Sequence, residues 1–243
     1  MATLPDLSSK TMAALVLMAA IAFAVSPFLT EPFSGFDPSQ LPRPVDDPPI
    51  QPAGYAFSIW GVIYVWLIIS AAYGLLSRDS APDWQKMRPA LLLSLVIGAS
   101  WIPVALSAPV TSTVLILAML VTALIALFNA PAAQPALAAA PIALYAGWLS
   151  AAAIVASATI IAAYTGISTT IVSIGGLIVI GAVATLVIRA TAHPLPYAAA
   201  VLWALIGVVV ANAPNGATLS LGTTIAVIAI LSIQTLLRLR QKS

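Results

Sequence analysis

The sequence predicts an all-α polytopic membrane protein with eight transmembrane helices. Charged residues make up 7% of its 243 residues and hydrophobic ones 61%, and the mean hydropathy is +1.07. A soluble domain of this size would need far more charge on its surface. The apolar residues are also gathered into long runs without charge, which is typical of membrane spans.

Each span needs about 20 apolar residues to cross roughly 30 Å of hydrocarbon. The sequence contains eight such runs, at 11–29, 55–77, 89–108, 110–129, 138–163, 168–188, 197–212 and 218–237. Six prolines fall in the intervening turns, where a missing N–H does little harm; they are Pro109, Pro131, Pro135, Pro194, Pro196 and Pro214. These turn signals separate the spans.

The positive charges predict the orientation of the chain. With eight spans both termini face the same side, and of the nine Lys and Arg residues only Arg43 falls on the opposite side. The positive-inside rule therefore predicts cytoplasmic termini, and the strong asymmetry fits a bacterial inner membrane. Lys10 followed by an apolar run also fits a signal peptide. The expectation is that this first span is retained as a helix.

The longest polar connection is the loop from about residue 30 to 54, which the charge asymmetry places outside. It is rich in proline and carries four carboxylates. Proline at this density favours extended polyproline-II structure. Loops of this length in compact proteins often act as lids or binding segments. A lid and a solvated spacer are both compatible with the sequence.

The distribution of reactive side chains argues against catalysis. Every Asp, Glu, Lys and Arg lies in a loop or at the end of a span, whereas ion-coupled pumps usually keep an ionisable group within the membrane. The single histidine, His193, has no cysteine or second histidine as a partner. We therefore predict no catalytic residues, no metal site and no enzymatic activity. The isolated cations do not indicate nucleic-acid binding.

Aromatic residues at one depth indicate a pocket. Phe57, Trp60 and Tyr64 have the spacing i, i+3, i+7 and project from one face of the second span. The third and fifth spans carry further rings in the same outer half, beneath the long loop. An interfacial aromatic belt or simple core packing is the alternative. The candidate ligand-binding residues are Tyr55, Phe57, Trp60, Tyr64, Trp101, Tyr145 and Trp148.

Four motifs in this region resemble the translocator protein family, also called tryptophan-rich sensory proteins (TspO/MBR). Pro52-Ala-Gly-Tyr-Ala-Phe-Ser-Ile-Trp60-Gly-Val-Ile-Tyr64 is similar to that family's Pro-Pro-x-Trp…Val-Trp-x-x-Leu-Tyr signature. Leu41-Pro-Arg-Pro44, with Pro48-Pro49, resembles its Leu-x-Lys-Pro…Pro-Pro loop. Trp101-Ile-Pro103 resembles its Trp-Ser-Pro, and Pro141-Ile-Ala-Leu-Tyr-Ala-Gly-Trp148-Leu-Ser150 its Pro-Tyr-x-x-Trp-x-Ser. The order and spacing match across about residues 11–163.

The chain also departs from that family's pattern. Asp46 stands in place of the loop tryptophan and Tyr55 in place of the tryptophan of Pro-Pro-x-Trp. Gly98 and Ala156 replace two asparagines. The family's polar pocket groups are thus largely missing. We predict a TspO-like five-helix bundle over residues 1–165, and three additional helices with a basic tail over residues 166–243.

The resemblance implies a bundle that binds tetrapyrroles or sterol-like lipids as a sensor, scavenger or transport accessory. The leading hypothesis is a non-catalytic membrane protein whose aromatic pocket binds a flat apolar ligand, either porphyrin-like or a lipid. No cofactor is expected to be required beyond such a bound porphyrin or lipid. The alternatives are an uncoupled permease for small solutes and a structural subunit of a larger membrane complex. The partners expected are membrane lipid, the ligand, and a second copy or another subunit docked on helices 166–237.

Overall fold

The structure is a computed structural model, and it describes residues 8–33, 35–131, 133–216 and 218–241. These parts of the chain form helices and connecting loops, and all eight long helices are apolar enough to cross a membrane. This result confirms the predicted fold class. The helices are α1 Ser9–Val25, α2 Ile59–Ser77, α3 Arg88–Ala105, α4 Pro109–Phe128, α5 Ala139–Thr165, α6 Thr169–Ala190, α7 Pro194–Asn212 and α8 Leu219–Arg240.

Capping residues define where several helices begin and end. The hydroxyls of Ser8 and Thr218 accept backbone N–H bonds at the starts of α1 and α8. Gly166, at φ +72°, ends α5 in the left-handed conformation. Pro109 and Pro194 were predicted to lie in turns, but they start α4 and α7. A first-turn proline is tolerated because its missing N–H would have no helical partner.

The first five long helices close a ring. Helix α1 packs against α2 and α3, α3 packs against α4, α4 packs against α5, and α5 returns to α2. A short 3-10 segment, Gly54–Ser58, leads into α2 at the end of the ring that carries the long loop. The five helices of the predicted bundle therefore surround an interior, and side chains from each helix can reach it.

The last three helices pack on the outside of this ring, against α5. Helix α5 contacts both α6 and α7, and α8 contacts α6 and α7 in turn. About two-thirds of the most apolar stretch of α5 is buried, which is more than in any other span. A Cβ added to Gly147 of α5 would collide with the carbonyl oxygen of Tyr197 in α7. Glycine at this position lets the two backbones approach closely.

A buried arginine closes the opposite end of α2. Arg88 is 2% exposed and donates to the carbonyl oxygens of Gly74 and Arg78, both at 2.9 Å, and of Asp79 at 2.8 Å. Those carbonyls lie at the end of α2, where the helix itself supplies no donor. The cation therefore stabilises a helix end and is compensated by the helix dipole.

The long loop is attached to the ends of three helices. Gln40 donates to a carbonyl at the end of α3 at 2.7 Å, and Arg43 donates to the carbonyl of Tyr164 at the end of α5 at 3.0 Å. Asn212 of α7 donates to the carbonyl of Pro49 at 2.8 Å. These bonds hold the loop across one end of the bundle. The loop is therefore not a spacer that extends freely into solvent.

Candidate functional site

A cavity of about 350 Å³ lies at the end covered by the long loop, partly inside the ring and partly against α6 and α7. This volume is at the lower limit for small-molecule sites, which are usually about 300–1,000 Å³. Side chains from all five ring helices line it, together with others from the loop, α6 and α7. Its aromatic lining consists of Phe23, Phe33, Phe36, Phe57, Trp60, Tyr64, Trp101 and Trp148.

The rings on α1 and α2 form one continuous wall of this cavity. Trp60 and Tyr64 are stacked, with their centroids 5.3 Å apart and their planes at 15°. Phe23 meets both of them edge-on, at 5.5 and 5.0 Å. Aromatic pairs favour these two arrangements, and each pair adds to stability beyond its buried area. The wall is therefore rigid and offers flat apolar surface to a ligand.

Few polar groups face the cavity, and none of the described lining residues is charged. Two of the polar groups already have partners, since Trp101 Nε1 donates to the carbonyl of Ser112 at 2.8 Å and Thr159 Oγ1 donates to that of Val155 at 3.1 Å. In the described part of the chain, no three His, Cys, Asp or Glu residues are placed to hold a metal. The lining can stack on a ligand and exclude water from it.

The model of the TSPO-like protein family matches residues 10–237, which contain α2 to α7 and nearly all of α1 and α8. The chain belongs to the TSPO-like protein family. Neither a curated protein nor a solved structure matches it. Family membership and the eight apolar helices show that the chain is an integral multi-pass membrane protein. Membership of this family suggests a role in ligand binding or sensing. The match continues past the five helices that carry the four motifs.

The structure brings five of the seven candidate site residues of this TSPO-like chain together. Those that line the cavity are Phe57, Trp60, Tyr64, Trp101 and Trp148. Tyr55 is 44% exposed and packs edge-on against Trp203 of α7, at 5.6 Å. Tyr145 is fully buried, and its hydroxyl shares a 2.9 Å hydrogen bond with Ser94 of α3. These two tyrosines lie outside the lining.

The sequence reasoning missed two groups of lining residues. Phe23, Phe33 and Phe36 come from α1 and the loop. Phe23 could have been predicted from its depth, because it lies close to the end of the first span that leads into the long loop. The second group comes from α6 and α7 and is aliphatic or small; it consists of Ile180, Ala204, Leu205 and Val208. Such residues are common on every face of a membrane helix and gave no signal.

A polar recess adjoins the cavity under the same loop. Asp37, Asp46 and Asp47 line it, and it shares Phe36 and other wall residues with the cavity. The hydrogen bond from the backbone N–H of Ser39 holds the pKa of the Asp37 carboxyl below its ordinary value. The recess therefore places three acidic side chains beside the uncharged cavity.

Proposed function

We propose that the chain is a membrane receptor or carrier that binds a flat apolar ligand, porphyrin-like or lipid, inside the five-helix ring. The observation that carries this proposal is the wall of Phe23, Trp60 and Tyr64 beside an uncharged cavity. A planar ligand can stack on such rings with little loss of side-chain entropy, because their neighbours already fix them. Binding would also remove apolar ligand surface from water.

In this proposal the long loop serves as the lid. Phe33 and Phe36 of the loop line the cavity, and Phe33 packs edge-on against Trp101 of α3 at 4.9 Å. The bonds from Gln40 and Arg43 hold the following part of the loop against the ends of α3 and α5. The charge asymmetry of the sequence supports a position of the lid on the outer side of the membrane.

We assign this site to binding rather than to catalysis. A hydrolytic or transfer reaction needs a nucleophile with a neighbouring base, or a metal with an open position. The described lining supplies neither a carboxylate nor an imidazole nor a thiol. Its hydroxyl groups therefore have no base within the cavity to activate them.

The test is a titration of the detergent-purified protein with protoporphyrin and its dimethyl ester, followed by tryptophan fluorescence. We expect saturable quenching by at least one of them, and weaker affinity in the double variant Trp60→Leu/Trp148→Leu. The matched control is Trp66→Leu, because Trp66 lies outside the lining and its Nε1 donates to the carbonyl of Ala136. Equal affinity in the double variant would overturn the proposed site, and unsaturable quenching by both compounds would exclude the porphyrin-like ligand.

A further inference from the structure

The cavity has two ends that differ in chemistry. Inside the ring, the walls on α1 and α2 are aromatic, formed by Phe23, Trp60 and Tyr64. Beyond α5, the wall is aliphatic, and its members come from the two helices that follow the ring. Ile180 of α6 and Leu205 of α7 represent that wall. The cavity therefore extends out of the five-helix ring to the helices that follow it.

Helix α5 connects the two ends. Its lining residues recur at intervals of three or four, so they lie along one face of the helix; they are Trp148, Ala151, Ala152, Val155, Ala156 and Thr159. From Trp148 to Thr159 the helix advances about 16 Å, at a rise of 1.5 Å per residue. Between its tryptophan and the end of α5 that the loop covers, most of this face consists of alanine. The small side chains leave a long groove beside α5.

The aliphatic wall is a fixed part of the structure. Trp203 of α7 donates to the carbonyl of Ala56 at 2.8 Å, and the backbone N–H of Ala53 donates to the carbonyl of Gly207 at 3.0 Å. A Cβ added to Gly207 would lie 2.9 Å from the side chains of Pro52 and Ala56. Helix α7 is thus held tightly to the segment that leads into α2, and the groove is not a gap between loosely packed halves.

We infer that the ligand is a neutral lipid with a planar ring and an aliphatic chain. The ring lies against Trp60 and Tyr64, and the chain follows the alanine face of α5 against Ile180 and Leu205. This inference rests on the proposed function and specifies its ligand. Branched and straight hydrocarbon packs well against small and aliphatic side chains, whereas a ring alone would leave the groove without contacts.

The charges support a neutral ligand. The described lining offers no cation to pair with a carboxylate or phosphate, and an unpaired charge is costly to bury. The adjoining recess carries the acidic side chains of Asp37, Asp46 and Asp47, which disfavour an anion in the neighbouring cavity. A ligand with ionised acid groups inside the cavity would meet both penalties.

The test compares two probes that share a ring: menadione, which has no chain, and a prenylated menaquinone. Affinities for both are measured by tryptophan quenching in one detergent, for the wild type and for Ala204→Leu. Ala204 lines the cavity from α7 and is 3% exposed, so leucine there fills the groove. The matched control is Ala199→Leu, the same change at an exposed position of the same helix. Because the ratio of the two affinities is compared between variants, partition of the probes into micelles cancels.

We expect Ala204→Leu to lower the affinity for the prenylated probe relative to menadione by about fivefold or more, the cost of overpacking. Ala199→Leu should leave the ratio unchanged. Should Ala204→Leu fail to fold, Val208→Phe fills the same end from another position. If menadione binds and neither groove variant changes the ratio, the inference is wrong while the proposed function stands. If neither probe, nor either porphyrin, binds the wild type, both are wrong.

Discussion

Substituting Gly147 by alanine tests the contact that positions α7 against the ring. The added Cβ would overlap the carbonyl oxygen of Tyr197 and would lie 3.0 Å from the Cβ of Ala200. The first of these atoms belongs to the backbone of α7 and cannot rotate away. Helix α7 must therefore move outward as a unit, and it would carry Leu205 and Val208 of the cavity wall with it.

The size of the effect follows from two opposing contributions. Overpacking a well-packed contact costs about 1–3 kcal/mol. Replacing a helical glycine by alanine raises the free energy of unfolding by up to about 1 kcal/mol, because alanine has the higher helix propensity. Gly175 of α6 provides the matched control, because a Cβ added there meets no atom within 4 Å. Gly175→Ala keeps the gain in propensity without the overlap, so the difference between the two variants isolates the contact at about 1–3 kcal/mol.

The assay is unfolding of the purified protein in mixed micelles with increasing SDS, followed by circular dichroism. We expect Gly147→Ala to unfold at lower SDS than the wild type, and Gly175→Ala to unfold at the same or higher SDS. Equal stability of the two variants would refute the close α5–α7 packing. It would also remove the basis for a fixed aliphatic wall in the cavity.

Three further outcomes are expected. Arg88→Met should lower the free energy of unfolding by about 3 kcal/mol, because the buried carbonyl of Gly74 and the partly buried carbonyls of Arg78 and Asp79 lose their donor; a thermal melt that matches the wild type would contradict this. Arg43→Gln should leave global stability nearly unchanged but raise thermolysin cleavage within the 30–54 loop about threefold, since one attachment to Tyr164 is lost. Tyr145→Phe should cost about 1 kcal/mol by removing the bond to Ser94, without weakening porphyrin binding, because Tyr145 does not line the cavity; a loss of affinity would show that this tyrosine reaches the ligand.

Much of the aromatic end of the site could be predicted from the sequence. Rings spaced along one face of α2 must share a side, and span direction places Trp101 and Trp148 at a similar depth. The direction in which each ring faces could not be predicted in the same way. Tyr55 and Tyr145 lie at suitable positions along the chain, yet one packs on Trp203 and the other bonds to Ser94. The depth of a residue follows from its position along one helix, whereas the direction in which its side chain faces depends on how neighbouring helices pack.

The sequence by itself determined that this membrane protein has eight helices long and apolar enough to cross the bilayer, where each helix lies, and to which family it belongs. It could do so because hydrocarbon thickness requires long apolar runs, and prolines lie between these runs or at their ends. The tertiary structure alone decided that α6 and α7 complete the cavity and that the loop is attached over it. Membrane helices are apolar on every side, so periodicity does not show which face is buried. Small residues such as Gly147 and Gly207 set that choice, by permitting contacts with partners far away in the chain.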